Sequence, residues 1–154
     1  MKTKSVGKPR PMTAFWDTSA LVPLCCIQPQ SAQARQAARA YNRQVVWWGT
    51  VIEAVSSLNR LTREGTLNAK ESSQAFARLN YLRGRWNEVQ PTEEVRDQAE
   101  RLLRIHRLRA ADALQLAAAL VWCGDRPQGR ALIGADGNLS EAASAEGFTV
   151  IRLL

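Results

Sequence analysis

The sequence predicts an α/β protein with a mostly parallel sheet, and three observations lead to this fold class. Short runs rich in aromatic and β-branched residues alternate with longer segments that have helical spacing. The apolar run of residues 14–16 stops at an acid, Asp17, where a buried strand should end and a helix begin. The chain has 154 residues, 45% of them hydrophobic, which suits one soluble domain with a sizeable core. Alternating strands and helices form parallel sheets, and in such sheets ligands bind at the carboxyl ends of the strands.

The elements of the first half follow from residue type and from helix-ending residues. Alanines and arginines at helical spacing indicate helices, two of which should end near Gly65 and Gly84. Pro23 is expected to break the first helix, because proline lacks the amide hydrogen that a helix interior uses. In order, the predicted elements are a strand over 13–16, helices over 19–26 and 31–42, a strand over 44–48, and helices over 50–64 and 68–83.

The second half continues the alternation. A brief strand before Pro91 precedes a helix with acids in its first turns, and the segment from Ala110 to Trp122 is an apolar helix. Two apolar runs flank the last helix and indicate strands. In order, the predicted elements are a strand over 86–90, helices over 92–105 and 110–122, a strand over 130–135, a helix over 139–146 and a strand over 148–153.

The net charge of +7 is concentrated at the amino terminus. Four basic residues stand there, Lys2, Lys4, Lys8 and Arg10. Residues 1–12 are therefore expected to form a basic, disordered tail, and residues 13–154 a single domain. Beyond the tail the positive charge comes almost wholly from arginine, whose planar fork binds both phosphates and carboxylates. A nucleic acid and an acidic protein are both suitable partners.

The composition favours a cytoplasmic location. The chain has three cysteines, two of them adjacent (Cys25 and Cys26), which predicts no disulfide framework and suits a reducing compartment. No secretory signal is expected, because the first eleven residues lack an apolar core. The longest mostly apolar run, residues 110–123, contains Asp112 and Gln115 and is too short to cross a membrane.

Four acids stand where parallel strands end or helices begin: Asp17, Glu53, Asp112 and Asp136. Three of them have an ordinary structural alternative. Asp17 is a favoured helix cap, Glu53 completes a capping box that begins at Thr50, and Asp136 precedes a glycine in a typical turn dipeptide. Asp112 is harder to explain structurally, because nearly all of its neighbours are apolar, although an exposed first turn would also suit its charge.

Considered together, the four acids predict a metal site. Several carboxylates brought to one edge of a sheet repel one another, and a hard divalent cation such as Mg²⁺ or Mn²⁺ relieves that repulsion. Such a cation can activate water for attack on a phosphodiester. The hydroxyls of Thr18 and Ser19 are placed to hydrogen-bond a metal-bound water or a scissile phosphate; a helix cap is the alternative for either residue.

Four segments in order resemble the motifs of PIN-domain ribonucleases, among them the VapC-type toxins of bacterial toxin–antitoxin pairs. The segments are WDTSAL, the acid in TVIEAV, LRAADALQLA and IGADGNLSEAA. The resemblance covers about residues 13–154 and implies a three-layer α/β/α sandwich around the mostly parallel sheet. The final motif differs from the usual pattern, since Gly137 and Asn138 follow the acid where a basic or second polar residue often stands.

The resemblance also implies a function. It implies a metal-dependent endoribonuclease in which Asp17 and Asp112 bind Mg²⁺ or Mn²⁺, and Glu53 completes the metal or water shell. Asp136 would bind through water or a second metal, and Thr18 or Ser19 would support the site. The family further implies a homodimer and inhibition by a cognate antitoxin. His106 and the arginines around it would flank an RNA groove, although a structural or solvent-facing position is the preferred interpretation for His106.

Other classes remain as alternatives. A non-catalytic PIN-like module that binds nucleic acid or protein is one, and a nuclease acting on DNA or in RNA maturation is another. A haloacid-dehalogenase-like phosphatase is disfavoured, because it needs a second aspartate where Ser19 stands. A response-regulator receiver is disfavoured too, because beyond the tail the only lysine is Lys70, in a predicted helix.

Overall fold

The computed structural model describes residues 12–154, which form five strands and seven helices. The predicted tail over 1–12 lies outside the described residues except for Met12. In chain order the elements are β1 (Thr13–Trp16), α1 (Thr18–Cys25), α2 (Ser31–Ala40), β2 (Arg43–Trp47), α3 (Thr50–Arg63), α4 (Ala69–Arg83), β3 (Asn87–Val89), α5 (Glu93–Ile105), α6 (Ala110–Trp122), β4 (Ala131–Gly134), α7 (Gly137–Glu146) and β5 (Thr149–Arg152).

The five strands form one parallel sheet in the order β3-β2-β1-β4-β5. The central strand β1 pairs with β2, where Phe15 lies opposite Val45, and with β4, where Phe15 lies opposite Leu132. The chain leaves β1 towards β2 on one side and reaches β4 on the other, so the strand order reverses at β1. In open α/β sheets the crevice at such a reversal is the usual place for a ligand.

Helices cover both faces of the sheet, which confirms the predicted three-layer α/β/α arrangement. On one face, Trp16, Val46 and Ile133 pack against α1 to α4. On the other, Phe15 and Leu132 pack against α5, α6 and α7. Alternate residues of each strand therefore point into opposite cores, as the pleat requires. None of the helices between residues 12 and 154 has the length and hydrophobicity of a membrane span.

Element boundaries agree with the predictions to within a few residues, and one prediction is wrong. Pro23 does not break the first helix: α1 continues through it to Cys25, and Pro23 is itself buried. Proline removes only the bond that residue 23 would donate to the carbonyl of Ser19, and the last turn still closes, with the amide of Cys26 donating to the carbonyl of Val22, 3.2 Å away. The last helix ends at Gly147, whose φ of 113° is the left-handed conformation that favours glycine.

Candidate active site

An open cavity of about 940 Å³ lies at the carboxyl ends of β1 and β4. Its lining includes all four of the predicted acids, Asp17, Glu53, Asp112 and Asp136, together with the hydroxyl residues Thr18 and Ser19. The acids come from four different elements: they follow β1 and β4 or lie in the first turns of α3 and α6. The fold therefore collects at one edge side chains that are far apart in the sequence.

Asp17 is buried, and two neighbours hold its carboxylate. It caps α1 by accepting a hydrogen bond from the amide of Ser19 at 3.3 Å, and the Ser19 hydroxyl donates to the same oxygen. Ser19 Oγ in turn accepts from the amide of Ala135, 2.8 Å away, which connects the end of β1 to the end of β4. Burial raises the pKa of Asp17 to about 7, and the charges of Glu53 and Asp112 add to the effect, against the hydrogen bonds from Ser19. Asp17 is thus a helix cap, and it is also a carboxyl group whose ionised form the site disfavours.

Glu53 is not part of a capping box, so that alternative is wrong. The N-cap of α3 is Gly49, and no side chain caps the helix; Thr50 is already helical and fully buried. The Glu53 carboxylate turns inward: Oε2 accepts from Thr18 Oγ1 at 2.5 Å and from Gln115 Nε2 at 2.6 Å. Glu53 is therefore fixed by contacts to α1 and α6 that a local sequence pattern does not reveal.

Asp112 lies in the first turn of α6 and is half-buried at the cavity wall. The predicted apolar burial applies to the later turns of the helix, whereas Asp112 itself faces the cavity. Burial raises its pKa, as do the negative charges of Asp136 and Glu53, and the nearby Arg109 only partly opposes them. Its first-turn position also suits the helix dipole. The structural and functional interpretations are thus both compatible with this position.

Asp136 forms a cap where the sequence favoured a turn as the structural alternative. Its Oδ1 accepts from the amide of Leu139 at 2.8 Å, and α7 begins at Gly137, two residues before the predicted start. The final motif has no basic residue directly after its acid, but the Arg152 side chain reaches this point from β5. A Cβ on Gly137 would lie 2.9 Å from Arg152 Nη2, so the glycine leaves room for that guanidinium.

Gln115 is a polar residue of the site that the sequence analysis did not select. It is 1% exposed, and its Nε2 lies within hydrogen-bonding distance of oxygens on α1 and α3: Thr18 Oγ1 at 2.9 Å, Thr50 Oγ1 at 3.1 Å and Glu53 Oε2 at 2.6 Å. A signal was present in the sequence: Gln115 stands three residues after Asp112 in an apolar helix, on the same face.

The donor chemistry of the cavity fits a hard divalent cation, but the ligands are not assembled. Carboxylates are what Mg²⁺ and Mn²⁺ prefer, and a cation would oppose both the burial and the like charges that raise the pKa of Asp17 and of Asp112. Within residues 12–154, however, no group of three His, Cys, Asp or Glu side chains is close enough to hold a metal. Asp17 and Glu53 each use one carboxylate oxygen, Oδ2 and Oε2 respectively, to accept hydrogen bonds from hydroxyl and amide donors.

Two of the arginines near His106, Arg101 and Arg109, lie in different surroundings. Arg109 lines the cavity. His106 lies elsewhere, at the end of α5, where its Nε2 is 3.0 Å from Oε2 of Glu146 on α7, and Arg101 binds the other oxygen of that carboxylate. The structural interpretation of His106 is therefore confirmed.

Comparison with known proteins identifies a family and a shared fold. The PIN domain matches residues 14–143 of the chain. A chain from a toxin–antitoxin complex of Klebsiella pneumoniae is similar with a TM-score of 0.55 at 18% identity, over 80% of this chain and 87% of that one. The crystal structure of PAE2754 from Pyrobaculum aerophilum is similar with a TM-score of 0.57 at 20% identity, over 92% and 89% of the two chains. Identities this low show the fold alone. No curated protein matches the sequence.

Proposed function

The chain belongs to the PIN-domain family, and from this premise we propose that it is a Mg²⁺- or Mn²⁺-dependent endoribonuclease and the toxin of a toxin–antitoxin pair. PIN domains are typically nucleases that use divalent metal ions. The observation that carries the proposal is that four carboxylates from four elements line one open cavity at the reversal point of the sheet. A cavity of about 940 Å³ is large enough for an RNA strand to enter at a phosphodiester.

The proposed roles are those that the motif resemblance implies, and the presence of all four acids in one cavity lining supports them. Asp17 and Asp112 would bind the cation, Glu53 would complete the metal or water shell, and Asp136 would bind through water or a second cation. Thr18 and Ser19 support the site by donating to Glu53 and Asp17. When bound, the cation supplies a Lewis acid for the phosphate oxygens and lowers the pKa of water.

The residues of the chain would then position the reaction. The proposed step is in-line hydrolysis, in which a water oxygen bonds to phosphorus and gives a proton to a cavity carboxylate, while the bond to the leaving ribose oxygen breaks and that oxygen takes up a proton from solvent, so that one water is consumed. Carboxylate oxygens in the cavity accept hydrogen bonds from the water and orient it. The guanidinium of Arg109, at the cavity wall, is placed to bind a neighbouring phosphate.

The toxin part of the proposal rests on the motif pattern and is supported by the fold. One similar structure comes from a toxin–antitoxin complex. An antitoxin that inserts a segment over the cavity would cover the acids and restrain the nuclease, and a homodimer is the expected assembly. The second candidate is a PIN-like module that binds nucleic acid or protein without cutting. The observation that favours it is the lack, among the described residues, of an assembled three-ligand group.

Sequencing of RNA 5′ ends after a brief pulse of expression tests the proposal. Wild-type protein should generate discrete new ends, and Asp112→Asn should generate none. The Glu146→Gln variant, altered on α7 outside the cavity, serves as the matched control and should cut like wild type. If wild type and Asp112→Asn give the same RNA ends while purified wild type binds RNA, the binding-module candidate replaces the nuclease.

A further inference from the structure

Gln115 is the most buried polar side chain among those that touch the acids. Helix α6 is otherwise apolar where it is buried, with Ala113, Leu116 and Ala117 all fully enclosed. A leucine at position 115 would fit such a core without any hydrogen bond. The glutamine therefore needs an explanation other than packing.

The amide nitrogen of Gln115 lies where three elements meet. It reaches Glu53 Oε2 on α3 at 2.6 Å and Thr18 Oγ1 on α1 at 2.9 Å, and it is 3.1 Å from Thr50 Oγ1 at the start of α3. Thr18 Oγ1 in turn donates to the same oxygen of Glu53 at 2.5 Å. One carboxylate oxygen thus receives two hydrogen bonds from residues on two other helices.

The orientation of the amide follows from these partners. A carboxylate oxygen only accepts, so the NH₂ end of Gln115 must face Glu53. This leaves Gln115 Oε1 buried without a hydrogen-bond partner among residues 12–154. A buried carbonyl in that condition is destabilising, and an apolar side chain would avoid the penalty. The side chain therefore adds nothing that packing requires, whereas it directly fixes the direction of Glu53.

We propose that Gln115 is a positioning residue, which holds the Glu53 carboxylate and the Thr18 hydroxyl in the arrangement that the cation site uses. The inference rests on the proposed function in one respect, namely that Glu53 belongs to the metal or water shell. Gln115 does not touch the cation or the substrate; it acts through Glu53. Partners of this kind orient metal ligands, and their loss typically weakens metal affinity about 10- to 100-fold.

The first test measures Mn²⁺ binding by calorimetry on the metal-free full-length protein. Gln115→Leu should weaken Mn²⁺ binding about 10- to 100-fold. Gln44→Leu is the matched control: Gln44 is also buried, but it lies on β2 outside the cavity lining, and its variant should bind Mn²⁺ like wild type. Thermal melts of the metal-free variants verify that both are folded.

A double-mutant cycle separates a positioning role from a structural one. If Gln115 acts through Glu53, then Gln115→Leu should weaken Mn²⁺ binding little further in a Glu53→Ala background. Equal losses in both backgrounds would overturn the inference, and so would wild-type affinity in Gln115→Leu; either result leaves the proposed nuclease intact. A wild-type protein that binds no Mn²⁺ would instead overturn the metal site of the proposed function, and this inference with it.

A second measurement needs no metal. In the NMR spectrum of the metal-free wild type, the side-chain NH₂ of Gln115 should exchange with solvent at least tenfold more slowly than that of the exposed Gln90. The same resonances should shift in Glu53→Ala and stay in place in Glu146→Gln. Exchange of the Gln115 NH₂ as fast as that of Gln90 would overturn the inference directly.

Discussion

Two groups of charged side chains in this protein show opposite electrostatics. The acidic cavity consists of Asp17, Glu53, Asp112 and Asp136. The ion-pair cluster consists of Arg101, His106 and Glu146, where the ends of α5 and α7 meet. In the cavity, burial and like charges raise the pKa of Asp17 and of Asp112. In the cluster, burial works in the same direction on Glu146, but hydrogen bonds from Arg101 and His106 outweigh it and lower its pKa.

The opposite pKa shifts distinguish a functional site, the acidic cavity, from a structural contact, the ion-pair cluster. A carboxylate that binds oppositely charged neighbours stabilises the fold, whereas carboxylates that are gathered without a cation of their own destabilise it. Proteins retain such unfavourable groupings where the groups act on something else. The acidic cavity therefore indicates a functional surface, and the ion-pair cluster indicates structure, although both consist of the same kinds of residue. Substitutions that neutralise one acid at a time test this distinction.

The largest effect is expected on cleavage. Asp17→Asn and Asp112→Asn should each lower the rate of RNA cleavage at least a thousandfold, because loss of a ligand removes several kcal/mol of transition-state stabilisation. Both variants should fold, since asparagine also caps a helix at position 17, and position 112 is only half-buried. The measurement is cleavage of a labelled RNA with Mn²⁺ present.

Glu146→Gln is the control from the ion-pair cluster, and it should cleave at the wild-type rate. If Glu146→Gln lost activity as completely as Asp112→Asn, the distinction between the two groups would be wrong. Retained cleavage in both aspartate variants would show that these acids are caps and wall residues only.

The next effect is on stability, and it has a definite sign. Because the folded state holds the Asp17 proton up to a pKa of about 7, against 3.8 as the ordinary value, it binds more protons than the unfolded state between these limits. The free energy of unfolding of the metal-free protein should therefore fall as the pH rises from about 4 to 7, by an amount on the order of 4 kcal/mol. Asp17→Asn should remove most of this decline. Urea denaturation in EDTA from pH 4 to pH 8 measures it.

A residual slope is expected in that variant, because the pKa of Asp112 is raised as well. If the stability of wild type and of Asp17→Asn depended on pH in the same way, other contacts in solution would be stabilising the ionised form of Asp17. A metal-free Asp17→Asn that melts below wild type at pH 8 would identify Asp17 as a supporting cap whose charge the fold needs.

The sequence predicts the fold and the gathering of the four acids at one edge of the sheet, because both depend on local patterns. Strand-forming runs, glycine at helix ends and an acid after an apolar run are each visible within a few residues. Thus α6 is predicted to the residue, and Asp17 is placed at the end of β1. The order of the strands brings the acids together; the alternation of strands and helices predicts a parallel sheet, whereas the order itself is seen only in the structure.

The errors arise where distant partners decide the outcome. Thr50 and Glu53 have the spacing of a capping box, but Thr50 is buried against Gln115, and Glu53 turns to Thr18, whose position in the chain is 35 residues away. The local pattern at Gln115, one amide three residues after Asp112, does not reveal its three partners, which lie on α1 and α3. Pro23 has the local features of a helix breaker, yet the short helix and its buried position tolerate it. Tertiary contacts overrule the local pattern in all these cases.

A smaller effect is expected from the ion-pair cluster. Glu146→Gln should lower the free energy of unfolding at pH 7 by about 1 kcal/mol, because the ion pair with Arg101 is only partly shielded from water. The pKa of Glu146 is lowered in the folded state, so its contribution is present above the ordinary value of 4.5 and is lost as the pH falls through the folded value. Urea denaturation at low and high salt measures the difference, which 1 M salt should reduce. A loss that is unchanged by salt would point to packing instead of charge.

The smallest effect separates two arginines of the same region of sequence. Arg109 lines the acidic cavity, whereas Arg101 belongs to the ion-pair cluster. Arg109→Gln should raise the KM for RNA a few-fold, leave kcat nearly unchanged, and reduce the dependence of log K on log salt by about 0.7, which is the value for one phosphate contact on a single strand. Arg101→Gln should leave KM and the salt dependence unchanged, and should instead lower the free energy of unfolding slightly, because it removes the ion pair with Glu146. Equal changes in KM for the two variants would mean that RNA is attracted by the overall positive charge of the protein. A lower kcat in Arg109→Gln would mean that its guanidinium acts on the reacting phosphate itself. If KM changes only in Arg109→Gln and stability only in Arg101→Gln, then Arg109 belongs to the acidic cavity in function and Arg101 to the ion-pair cluster.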